Sequence, residues 1–141
     1  MYKCSGTVVH GFKRGSKELG FPTANLDEES TENFGKDAKI GVYCGFAQVD
    51  NGPVYEMVAS FGYNPVYGNE KKTFEVHILN VFEDDFYGSK ITVVVTDYLR
   101  NEEKYPGVDE LIAAINGDIA KAKKILFMEE SKIHKMDEIF Q

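Results

Sequence analysis

Between Ile40 and Leu99 the chain offers only strands and turns, and this rules out most folds open to 141 residues. Branched or large residues alternate with small ones at 40–47, and further strand-like runs follow at 54–61, 73–82 and, rich in β-branched residues, 90–99. Asp50-Asn51-Gly52-Pro53, Asn64-Pro65 with Gly68-Asn69, and Tyr87-Gly88-Ser89 separate these runs. No helical stretch lies between them. Parallel neighbours need long crossovers, so the pairing is predicted to be antiparallel. Short strands joined by Gly, Asn and Pro turns point to a small barrel or sandwich. Residues 5–10 read as a further strand. Residues 26–39 are acidic, lack an apolar period, and read as a surface loop.

After Arg100 the period changes. Leu111, Ile112, Ile115, Ile119, Ala122 and Leu126 keep the spacing of one buried helix face. Asp109 is the expected N-cap, and Asn116-Gly117-Asp118 is expected to split the segment into two helices. One domain is predicted over 1–141: barrel at about 5–100, helices at about 108–127, and a charged tail at 128–141.

The composition narrows the partners. The formal net charge is −7, which argues against a nucleic-acid surface or an anionic membrane. Two cysteines, Cys4 and Cys44, are too few for a disulfide scaffold, so free thiols in a reducing compartment are expected. With no apolar run of membrane length and no secretory leader visible, the expectation is a cytoplasmic protein. No large apolar stripe asks for a partner, so a monomer is expected.

Against this acidic background, Gly11 to Asn25 stands out. It carries Lys13, Arg14 and Lys17 among three glycines and ends in Pro22-Thr23-Ala24-Asn25. Exposed backbone N–H groups beside lysines favour an anion, yet the glycine spacing fits neither familiar phosphate-loop pattern, and a structural turn is the other reading. If this segment is extended, Thr23 and Asn25 project to one side and offer two oxygens to a hard cation; the other reading is a pair hydrogen-bonding a turn. Glu75 shares a strand face with His77, opposite Phe74, Val76 and Ile78. It is a candidate base for an alcohol, or a solvent-facing Glu on an amphipathic strand. No set of His, Cys and carboxylates has zinc-ligand spacing.

Taken in order, these pieces resemble the riboflavin kinase (flavokinase) family. They run Gly6-x-Val8-x-x-Gly11, then Gly15-x-x-x-Leu19-Gly20-Phe21-Pro22-Thr23-Ala24-Asn25, Gly41-Val42-Tyr43, Asn64-Pro65 and Glu75-Val76-His77-Ile78. The match continues through Asp85-Phe86-Tyr87-Gly88, Tyr98-Leu99-Arg100 and Leu111-Ile112-x-x-Ile115-x-x-Asp118-Ile119. The resemblance implies a mainly β fold: a six-stranded antiparallel Greek-key barrel with C-terminal helices. It implies ATP and riboflavin as substrates and ADP and FMN as products. Thr23 and Asn25 would hold Mg²⁺, with Zn²⁺ or Mn²⁺ as alternatives, and Glu75 would be the catalytic base. Gly11, Lys17, Thr23, Ile78, Asn80 and Tyr87 would line the ATP site. Arg100 and Tyr105 would lie by the flavin. Bifunctional relatives carry an adenylyltransferase domain ahead of this one; the motif begins near residue 6 here, so FAD synthesis is not expected. Two other readings are an idle barrel that carries a flavin and a barrel interaction module. A carrier has no need of a cation site or a base, and an interaction module leaves the basic glycine-rich loop unexplained.

Overall fold

The structure, a computed structural model, describes residues 2–9, 24–36, 38–50, 52–63, 72–79, 88–102 and 106–127. Six strands close into an antiparallel barrel: β1 (Tyr2–Val9), β2 (Ala24–Leu26), β3 (Gly41–Val49), β4 (Val54–Tyr63), β5 (Lys72–Ile78) and β6 (Lys90–Arg100). Around the barrel the order is β1-β2-β5-β4-β3-β6. β3, β4 and β5 are successive antiparallel neighbours, and β6 returns to lie beside β3, which is the Greek-key arrangement. Closure leaves no sheet edge open to a foreign strand.

Strand alternation divides the apolar residues into two cores. Phe74, Val76 and Ile78 of β5 face inward, opposite Phe61, Ala59 and Met57 of β4. Val42, Cys44, Phe46, Val58, Val94 and Leu99 point outward. Helix α2 (Val108–Leu126) covers them with Ala122 and Leu126. Burial pushes the Cys44 thiol up to about 12, and the nearby Asp97 charge adds to the effect.

Two expectations fail here. Residues 26–39 are not all loop: helix α1 spans Glu28–Gly35. Its one large apolar residue, Phe34, plugs an end of the barrel and meets Tyr2, Tyr43, Phe61 and Phe74 edge to face at 4.5–5.3 Å. One apolar residue makes no periodic signal, so the sequence pattern missed this helix. Asp27 caps it, accepting from the Ser30 N–H and Oγ and from the Thr7 N–H of β1. Gly6 makes room for this cap, since a Cβ there would lie 2.5 Å from both Asp27 Oδ1 and Ser30 Oγ. Burial alone would raise the Asp27 carboxyl, but these hydrogen bonds outweigh it and hold it below its ordinary value.

The second correction concerns the C-terminal helices. There is one helix, not two, and Asn116-Gly117-Asp118 runs through it. A single glycine costs about 1 kcal/mol in a helix. Packing of Ile119, Ala122 and Leu126 on the barrel offsets that. The N-cap is Gly107, and Asp109 sits in the first turn, where its charge suits the helix dipole.

Candidate active site

One lateral row on the outside of the barrel takes a residue from every strand. Val9 of β1 pairs with Asn25 of β2, and Asn25 with Glu75 of β5. Glu75 pairs with Ser60 of β4, Ser60 with Val42 of β3, and Val42 with Arg100 of β6. Directly opposed residues on one face have Cβ atoms roughly 5 Å apart. The amide of Asn25 and the carboxylate of Glu75 are therefore immediate neighbours. Arg100 lies three strand spacings beyond Glu75, roughly 14 Å along the curved surface.

Asn25 is 5% exposed, and its Nδ2 has no hydrogen-bond partner among the described residues. A buried unsatisfied amide costs about 1–3 kcal/mol, so a fold tolerates one where a ligand satisfies it. The Asn25 head group offers a hard oxygen and a buried N–H side by side. That suits a divalent cation held together with phosphate oxygens. Among the described residues no cluster of three His, Cys, Asp or Glu could hold a metal.

Arg100 owes its direction to an irregularity. The β3–β6 register shifts between Val42 and Tyr43, so Leu99 is an extra residue on β6. A bulge turns two consecutive side chains to one side. Leu99 enters the apolar contact with α2, and Arg100 beside it grips Asp118 of α2. Its Nε and Nη2 donate to the two Asp118 oxygens at 2.7 and 2.8 Å, and Nη1 donates to the Asn101 carbonyl at 3.0 Å. The planar fork is fixed, while 26% of the Arg100 side chain stays exposed.

Asn25 and Glu75 thus lie side by side on the outer surface, while Arg100 shares their row three strands further round the closed barrel. Ile78 does not join them, because its side chain is buried inside the barrel opposite Met57. Gly11, Lys17, Thr23, Asn80, Tyr87 and Tyr105 lie outside the described residues. Sequence reasoning missed Ser60, Glu102 and Asp118. Ser60 Oγ donates to Glu102 at 2.8 Å, next to Glu75. Asp118 had a signal: it falls on the stripe of Ile115, Ala122 and Leu126, where an acid needs a partner. It lies instead in the Asn116-Gly117-Asp118 stretch that was expected to break the helix.

The row thus sets a carboxylate directly beside a buried amide, with a guanidinium held by Asp118 three strands further round. Relatives identify the class. A family model described as flavokinase, riboflavin kinase, matches residues 1–126. The riboflavin kinase of Homo sapiens is 47% identical over 140 residues, covering 99% of this chain and 90% of that protein. The crystal structure of riboflavin kinase from Trypanosoma brucei superposes with a TM-score of 0.77 over 98% of this chain and 87% of that one. At 24% identity this second likeness speaks for the fold alone. A crystal structure titled macrolide-efflux protein, from Streptococcus pneumoniae, matches with a TM-score of 0.70 and 30% identity. That match covers 86% of this chain and only 38% of the other, so it carries no activity across. The chain belongs to the riboflavin kinase family, enzymes that transfer the ATP γ-phosphoryl group to the 5′-hydroxyl of riboflavin, giving FMN and ADP. Riboflavin kinases are ATP-dependent and generally need a divalent metal. Among the described residues no helix is long and apolar enough to cross a membrane.

Proposed function

We propose that the outer row from Asn25 to Arg100 is the catalytic face of a single riboflavin kinase domain, with each residue in the role its place suits. Glu75 orients the riboflavin 5′-hydroxyl and takes its proton. The freed oxygen bonds to the γ-phosphorus while the bond to the β-phosphate oxygen breaks and ADP leaves. Such transfers need mainly positioning and charge neutralisation. Asn25, with Thr23, holds Mg²⁺, which when bound supplies positive charge against the nucleotide phosphates. The Asn25 Nδ2–H is left to donate to a phosphate oxygen.

Gly11 and Lys17 cover the ATP phosphates, with Asn80 and Tyr87 beside the nucleotide. Ile78 contributes main chain only, since its side chain belongs to the core. Arg100 and Tyr105 take the flavin ring by stacking and hydrogen bonding. The enzyme works as a cytoplasmic monomer with ATP and riboflavin as its partners, one domain over residues 1–141.

The observation that carries this reading is the direct pairing of Asn25 with Glu75, an amide whose Nδ2 has no partner among the described residues, beside a carboxylate. The test is incubation with riboflavin, ATP and Mg²⁺, with FMN read by chromatography. FMN formation that falls away in Glu75→Gln supports it. FMN formation unchanged in that variant removes Glu75 from the base role.

A further inference from the structure

We infer that Glu102 is a positioning residue for riboflavin, seated on β4 by Ser60 and by the missing side chain of Gly62. Ser60 and Gly62 flank the inward-facing Phe61, so both face outward. Ser60 Oγ donates to Glu102 Oε1 at 2.8 Å. Over Gly62 a Cβ would lie 2.5 Å from Glu102 Oε2 and 2.7 Å from its carboxyl carbon. The carboxylate occupies the space that any other residue at 62 would fill. Position 62 is on a strand, where glycine is ordinarily unfavourable, and a close approach is a standing reason to find one there.

The seat has a consequence for the site. Ser60 is the cross-strand partner of Glu75. Glu102 follows Arg100 by two residues, beyond the end of β6. The chain leaving β6 therefore folds back across β3 and is pinned beside the candidate base. Arg100 is tied at one end of this crossing by Asp118, and Glu102 is tied at the other by Ser60. This pair of ties fixes the distance between the flavin-facing segment and Glu75, and so decides how far the 5′-hydroxyl reaches. The inference rests on the reading that the segment from Arg100 onward binds the flavin.

Steady-state kinetics on the full chain test it. Glu102→Ala removes the tie. Gly62→Ala evicts the carboxylate without touching its chemistry, and the fold tolerates it because the clashing atoms are the far end of a flexible side chain. Both variants should raise the riboflavin KM about 3- to 10-fold, the net worth of a hydrogen bond, with the ATP KM and Tm unmoved. Glu102→Gln keeps an acceptor for Ser60 and should restore the wild-type KM. Arg100→Lys is the control for flavin placement. A riboflavin KM that rises in Arg100→Lys but stays put in Glu102→Ala and Gly62→Ala overturns the positioning role alone. A KM unmoved in all three overturns the flavin placement as well. Parallel changes in the KM of both substrates and in Tm reduce Glu102 to a structural contact and also overturn the inference.

Discussion

Asn25 and Glu75 face each other directly across β2 and β5, although fifty positions separate them in the chain. Their separation is set by strand pairing, so neither side chain needs a flexible loop to find the other. Under the proposed roles the two can be removed independently. Glu75→Gln should lower turnover by roughly 10²–10⁴-fold, the usual share of a general base. Mg²⁺-dependent ATP binding, measured by calorimetry, should stay near wild type.

Asn25→Leu should do the reverse in two respects. The buried Nδ2 has no partner among the described residues, so replacing the amide with an apolar group of similar size removes a standing cost. The ligand-free protein should be as stable as wild type or up to about 1 kcal/mol more stable in urea. The rise in Tm on adding Mg²⁺ and ATP should disappear.

The Arg100–Asp118 pair makes a prediction about stability. Asp118 is 7% exposed, and Arg100→Ala would leave its charge buried alone. The cost should be about 3 kcal/mol, the low end for a broken buried pair, because 26% of the Arg100 side chain is in solvent. Adding Asp118→Leu to Arg100→Ala should recover most of that loss, as read from denaturation midpoints.

Acid should weaken the α1 cap. The Asp27 carboxyl is held below its ordinary value of 3.8, so its charged form contributes stability above that pH and loses it as pH falls through the lowered value. Wild type should exceed Asp27→Asn in stability at neutral pH, and the gap should close below pH 3.8. Asp27→Ala should cost about 1 kcal/mol at neutral pH, as lost N-caps do.

Cys44 should be inert. With the thiol pushed up to about 12 and fully covered, a thiol reagent at pH 8 should label a Cys4→Ser variant only after unfolding.

The long strands were legible because each carries its own period. β4 and β6 follow their predicted spans to within a few residues, and Phe74, Val76 and Ile78 share the face that alternation assigned them. β2 is three residues long, too short for any period, and only the resemblance supplied it. Phe34 hid α1 because a single plug is not a pattern. The row from Asn25 to Arg100 is a property of register. Register is set by pairing between strands, and no local stretch records it. Glu102 was hidden for the same reason: its meaning depends on the emptiness at Gly62.

β2 joins its neighbours at few points. It meets β1 at Val8–Leu26 and Val9–Asn25, and β5 at Ala24–Val76 and Asn25–Glu75. Among the described residues every other seam of the barrel runs further. Under the proposed roles, the cation-binding half of the chemistry lies at this short seam of a closed wall, where sub-global opening costs least. Amide hydrogen exchange should be fastest there among the strands, and ATP with its metal should slow it.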